Sequence, residues 1–157
     1  MNFLVLCTGN SARSILLEQI LSHRSDGRVR GYSAGSKPAG AVHPQSLTLL
    51  ADMGYPTDGL RSKSWDEFSG DTAAQMDVVI TVCGSAAGET CPVWVGSPVR
   101  AHWGVDDPAA ADPANQPAAF REAYDLLLAK AEALFAQPFQ TYDLDQMRDA
   151  LNAIGRS

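Results

Sequence analysis

The stretch Cys7-Thr8-Gly9-Asn10-Ser11-Ala12-Arg13-Ser14 constrains this chain more than any other. The apolar run Phe3-Leu4-Val5-Leu6 before it reads as a buried parallel strand, and Ile15, Leu16, Ile20 and Leu21 behind it share one face of a helix. A strand, a small polar loop and a helix start make an anion cradle. Successive backbone N–H groups of such a loop converge on one concavity, and the helix N-terminus adds positive potential. The expected oxyanion-binding set is therefore Thr8, Gly9, Asn10, Ser11 and Ala12 with Arg13, whose planar fork can hold two oxygens of a tetrahedral anion. Cys7 at the strand's end is expected to have its thiolate favoured by these same groups. Ser14 is expected to donate its hydroxyl to the Cys7 sulfur. The competing reading is a small buried cysteine ending a strand, with Arg13 a solvated helix residue.

The rest of the chain narrows the context. With 157 residues, one domain over 1–157 is expected, large enough for a substantial core. The net charge of −6 argues against nucleic acid or an anionic membrane as a partner, so an anion site has to be a local positive pocket. No apolar run is long enough to span a membrane, and residues 1–6 are too short and uncharged for a signal peptide. Three cysteines without a secretion signal point to the reducing cytoplasm and to reactive thiols rather than a disulfide scaffold.

Strand and helix patterns alternate. Residues 29–33 read as a second strand, and His43-Pro44 opens a helix with Leu47, Leu50 and Met53 on its inner face. Trp65-Asp66-Glu67-Phe68 reads as a short helix, 76–82 as a central strand, and 99–103 as a last strand. Helices are expected over 120–135 and, as a C-terminal extension, at about 143–155. The fold class is α/β: a single open, parallel, doubly wound sheet of about four strands with helices on both faces.

Three more residues carry potential chemistry. Cys83 follows the central strand at the sheet edge where ligands bind in open α/β folds. Cys91 lies beyond seven intervening residues, across a Gly-containing loop that fits no common zinc spacing but whose ends can reach disulfide distance. Asp107 sits just after the last strand, at the same edge, where Asp-Pro can also be a simple turn pair. Both cysteines can equally be inert, one in the core and one in the loop.

The spacing Cys-x5-Arg-Ser after a strand resembles the phosphate loop of low-molecular-weight protein tyrosine phosphatases and of the arsenate reductases sharing their fold. The likeness extends to Ser33-Ala34-Gly35, Val82-Cys83-Gly84, Cys91-Pro92 and His102-Trp103-Gly104 followed by Asp106-Asp107-Pro108. Together these look like the three-cysteine arsenate reductases. The resemblance implies the phosphotyrosine protein phosphatase I-like fold and a relay in which Cys7 attacks arsenate, Cys83 attacks Cys7, and Cys91 attacks Cys83. It makes Asp107 the general acid, and Arg13 and Ser14 part of the catalytic loop. Thioredoxin or a glutathione–glutaredoxin couple is the implied external reductant, with no bound cofactor. Arsenate is the implied substrate, with phosphate a competing oxyanion and the protein acting as a monomer. Some members bind potassium at positions matching Asn10, Glu18 and Ser33. A further family carboxylate aligns near Ser64, and no metal site is assigned.

Three departures stand out. Ala12 replaces a loop cysteine that the relay does not need, and the Cys83–Cys91 loop is one residue longer. Ala109 follows Asp107-Pro108 where the tyrosine phosphatases usually carry Tyr, which counts against phosphotyrosine. The leading expectation is thus an arsenate reductase. A tyrosine phosphatase using Cys7, Arg13 and Asp107 is the alternative, and a non-catalytic oxyanion-binding redox sensor the third.

Overall fold

Phe3, Leu4, Val5 and Leu6 are all fully buried, and a strand with no exposed side has to be covered on both faces. A computed structural model of the protein describes residues 1–68, 75–83 and 98–156. Its elements are β1 (Asn2–Leu6), α1 (Arg13–Arg24), β2 (Arg30–Ala34), α2 (Pro44–Asp52), β3 (Val78–Thr81), β4 (Val99–His102), α3 (Gln116–Phe135) and α4 (Leu144–Arg156). The strands form one parallel sheet in the order β2-β1-β3-β4, so this is the expected α/β fold.

That order creates the site. From β1 the chain first steps to one side, to β2, and then to the other, to β3, which opens a crevice at the carboxyl ends of the strands. Leu6 lies opposite Ala34 on one side and Thr81 on the other, so these ends are level. The Val82 N–H donates to the Leu6 carbonyl at 3.0 Å, which carries the parallel ladder one step further. Cys7 and Cys83 therefore leave adjacent strands at the same edge.

The helices are held by ordinary local chemistry. In α1, Ile15, Leu16, Leu17, Ile20 and Leu21 are fully buried, each worth roughly 2 kcal/mol of apolar transfer. The helix ends with His23 and Arg24 in its last turn, and Asp26 (φ 55°) and Gly27 (φ 77°) then turn the chain left-handed towards β2. His43 caps α2, its Nδ1 accepting from the Gln45 N–H at 3.1 Å, with Pro44 in the first turn. Leu50 is buried as expected, but Leu47 and Met53 are only half-buried. The other buried position of α2 is Ser46, because its hydroxyl donates to the Ser11 carbonyl at 2.9 Å and helps hold the cradle.

Several boundaries differ from the sequence reading, the central strand covering Val78–Thr81 rather than 76–82 and the last Val99–His102 rather than 99–103. The second strand lies one residue later than expected, and α3 begins at Gln116 rather than 120. Gln116-Pro117-Ala118-Ala119 carries no apolar period, so the first turn was visible only through Pro117, a residue suited to helix starts. In α4, Met147, Leu151 and Ile154 form a buried stripe. Trp103, fully buried after β4, donates its indole N–H to the Leu151 carbonyl at 3.0 Å, so α4 packs on the strand beside the site.

Candidate active site

A cavity of about 260 Å³ opens at the strand ends, lined by Cys7, the whole loop Thr8–Arg13, Cys83, Asp107 and Ala109. The loop is shaped from behind. The Thr8 carbonyl accepts from the Lys37 N–H at 3.0 Å. The Gly9 carbonyl accepts from the Ala39 N–H at 2.9 Å and from the Ser62 hydroxyl at 3.0 Å. The Ser11 carbonyl accepts from the His43 N–H at 3.0 Å. A trans peptide points its N–H opposite its C=O. Pinning these three carbonyls outward thus turns the Gly9, Asn10 and Ala12 amides toward the cavity. Asn10 makes the turn at φ 47°, a left-handed conformation that Asn tolerates better than most side chains. Gly35 lets β2's exit press against the loop, since a Cβ there would run into the Thr8 and Cys7 carbonyls.

The start of α1 completes the positive end. Ala12 offers no side-chain cap, and no acidic residue stands in the first turn. Its leading amides are left for an anion. Arg13 donates from Nη1 to the Val105 carbonyl at 2.9 Å, and its Nη2 lies 3.8 Å from Asp107 Oδ2. Its Nε is buried and has no hydrogen-bond partner among the described residues. An oxyanion oxygen in the cavity would satisfy that donor. Asp107 uses Oδ1 to accept from the Ala109 N–H at 3.0 Å, capping the short turn Pro108–Ala110. Its carboxyl is thereby fixed at the mouth of the cavity with Oδ2 turned to Arg13.

Cys83 is in the cradle itself. Its sulfur accepts from the Thr8 N–H at 3.4 Å and lies 3.7 Å from the Thr8 hydroxyl. Cys7 and Cys83 are both buried free thiols, and they line the same cavity. The surroundings of Cys7 do not all favour its thiolate. The Cys7 thiol is pushed well above its ordinary value, first by the hydrogen bond with Cys83 and next by burial. Arg13 and the Gly9 amide pull the other way and lose. Replacing Cys83 with Ala is accordingly expected to shift the pH profile of Cys7 alkylation by iodoacetamide to lower pH. An unmoved profile would show that burial alone sets it.

The place of Ser14 is a correction. Its hydroxyl accepts from Asn10 Nδ2 at 2.9 Å, and no hydrogen bond between it and the Cys7 sulfur is found among the described residues. It shapes the loop through Asn10. Cys91 lies outside the described residues. The structure thus brings together Cys7, the loop, Arg13, Cys83 and Asp107, and sets Ser14 behind them.

Sequence reasoning missed the strap formed by residues 61–64. Besides Ser62 on Gly9, the Lys63 N–H donates to Asn10 Oδ1 at 2.9 Å and the Lys63 carbonyl accepts from the Gly35 N–H at 2.9 Å. The Lys63 Nζ donates to Ser33 Oγ at 3.3 Å and to the Arg61 carbonyl at 3.0 Å, and lies 3.9 Å from Glu18 Oε1. Burial pushes the Glu18 carboxyl up and the Lys63 amine down, and in each the partner's charge opposes the shift without cancelling it. A potassium ion does not fit beside Glu18 and Ser33, because the lysine ammonium already stands among those oxygens.

A strand–loop–helix cradle with a cysteine at its base, an arginine at its rim and an aspartate after the last strand defines the phosphatase-like class of cysteine enzymes. The chain belongs to the low molecular weight phosphotyrosine protein phosphatase family, whose model matches residues 2–145. It is 35% identical to an arsenate reductase of Shouchella clausii over 107 residues, 68% of this chain and 73% of that relative. It is also similar to a solved arsenate reductase in its phosphate-binding state, with a TM-score of 0.66, 26% identity, and 86% of this chain and 96% of that one covered. A low molecular weight phosphotyrosine phosphatase from Vibrio cholerae shares the fold at 21% identity, with a TM-score of 0.67 and coverage of 87% and 95%.

Proposed function

We propose that this protein reduces arsenate to arsenite. The observation that carries the reading is the second thiol: Cys83 lines the same cavity as Cys7, its sulfur accepting from the Thr8 N–H at 3.4 Å. Hydrolysis of a phosphate ester needs one nucleophile and one acid. A second sulfur within reach of the first is what a two-electron reduction needs.

In the first step the Cys7 thiol passes its proton to an oxygen of the arsenate dianion, the resulting thiolate attacks arsenic, and an arsenate hydroxyl departs as water with a proton from Asp107. Arg13 and the inward amides hold the remaining oxygens through the displacement. Cys83 then attacks the Cys7 sulfur. The sulfur–arsenic bond breaks with its electron pair left on arsenic, so arsenic(V) becomes arsenic(III) and two thiols become the Cys7–Cys83 disulfide. Cys91 attacks the Cys83 sulfur, Cys7 leaves as a thiolate, and the disulfide moves to Cys83–Cys91, where an external thiol reductant removes it. Thioredoxin and a glutathione–glutaredoxin couple both supply such a thiol. A cytoplasmic location and a monomeric state belong to the same proposal, the first because three cysteines serving as reactive thiols need a reducing compartment.

Two experiments test this. Turnover of arsenate with each reductant offered separately, read as arsenite formed, identifies the reductant. Mass mapping of protein oxidised by one equivalent of arsenate is expected to find Cys83–Cys91 joined. A persisting Cys7–Cys83 bond would make Cys91 a bystander. Free thiols at all three positions, with efficient hydrolysis of phosphotyrosine, would make the protein a phosphatase.

Asp107→Asn keeps the cap on the Ala109 N–H, because an amide oxygen accepts as a carboxylate does, but it has no proton to give. Single-turnover formation of the Cys7 adduct should slow by roughly 10²–10⁴-fold while phosphate still binds. Unchanged single-turnover kinetics would leave Asp107 a turn residue.

A further inference from the structure

The pair of buried Lys63 and half-buried Glu18 has no part in the chemistry above, yet it stands one hydrogen bond behind the cradle. Lys63 is 8% exposed and Asn10 fully buried. The path is short. The Lys63 ammonium is fixed by Ser33 Oγ, the Arg61 carbonyl and Glu18. The Lys63 N–H holds Asn10 Oδ1, and Asn10 Nδ2 donates to Ser14 at the start of α1. Asn10 is the left-handed residue on which the amide cradle turns. The neighbouring strap residue, Ser62, holds the Gly9 carbonyl outward.

We propose that Lys63 is a positioning residue for the oxyanion cradle: its ammonium is a built-in cation that ties residues 61–63 to Glu18 and Ser33, so that Asn10 and Gly9 hold their amides at the anion. The ammonium does here what a bound monovalent ion could do in a chain lacking this side chain. Glu18, half-buried on α1, supplies the countercharge and Ser33 near the end of β2 the bridging hydroxyl, so one cation joins three segments that the cradle touches. Because the tie lies behind the loop, it acts on the binding of any tetrahedral anion. The inference rests on the cradle being the anion site, and its test uses phosphate rather than arsenate reduction. It can therefore fail or succeed whether or not arsenite is formed.

A cavity of about 380 Å³ adjoins the pair, lined by Glu18, Gln19, Tyr32, Arg61 and Lys63 among others, and provides a route for chemical rescue. Lys63→Ala removes a propylammonium's worth of atoms beside Glu18. Phosphate binding by that variant, measured calorimetrically, should weaken by about 10-fold or more, since small misplacements of a binding loop are costly. Propylammonium chloride should restore most of it, whereas propanol and sodium chloride at matched ionic strength should not. Equal rescue by propanol would reduce Lys63 to packing, and wild-type affinity in Lys63→Ala would overturn the proposal outright. Should that variant fail to fold, the neutral, similarly shaped pair Glu18→Gln with Lys63→Met avoids a buried unpaired charge. With native circular dichroism, this double variant should also bind phosphate several-fold more weakly, because Ser33 and the Arg61 carbonyl lose the ammonium. Unchanged affinity there would refute the cation's role, and Lys63→Arg should retain part of the affinity.

Discussion

A Cys7→Ser protein is expected to release no arsenite and to hydrolyse no phosphate ester, in single as well as multiple turnovers, while still binding phosphate. Both reactions begin with the same sulfur. A serine hydroxyl holds its proton far more tightly than a thiol, and the described site puts no histidine beside position 7 to take it. Removing a nucleophile of this kind costs roughly 10⁴–10⁶-fold in rate. The binding half of the site should survive, because the amides of the loop, the start of α1 and Arg13 do not depend on sulfur. Phosphate affinity measured calorimetrically separates the two effects: binding kept with chemistry lost identifies a nucleophile, whereas both lost identifies a collapsed loop. Arsenite formed at a substantial rate by Cys7→Ser would remove the basis for every role assigned here.

The parts of this molecule that could be read in the sequence are those whose cause is local. Phe3–Leu6 is apolar at every position, which only a strand covered on both faces requires, and Cys-x5-Arg-Ser sits in one turn of chain. His43-Pro44 caps α2 with its own side chain. The parts that could not be read depend on long-range partners. Ser46 looks like a solvated helix residue until the Ser11 carbonyl, 35 residues back, is placed against it. The strap is polar and unpatterned, and its meaning lies in two hydrogen bonds to Gly9 and Asn10, each spanning 53 residues. The surroundings of Cys7 were only partly legible for the same reason. Arg13 and the loop amides are near in sequence and favour the thiolate, whereas Cys83 arrives from β3 and outweighs them. Even Ser14, one residue from Arg13, answers to Asn10 rather than to the sulfur.

Cys83→Ser is the substitution that divides the two chemistries this family fold can host. Serine preserves size and can take the hydrogen bonds from the Thr8 N–H and hydroxyl, so the cradle should keep its shape. What it cannot do is attack a sulfur and leave a disulfide. Arsenite release should therefore stop. The Cys7–arsenic adduct, with no second sulfur to attack the Cys7 sulfur and leave the sulfur–arsenic electron pair on arsenic, can only hydrolyse back to arsenate. Hydrolysis of p-nitrophenyl phosphate should persist at a slow rate, because a thiophosphate at Cys7 needs water alone for its release. Parallel assays of arsenite and p-nitrophenol on one preparation check both halves. Loss of both activities would mean that Cys83 supports the cradle rather than the relay. Undiminished arsenite release would mean that a small thiol resolves Cys7 directly, and Cys83 would then serve only to keep Cys7 protonated at rest.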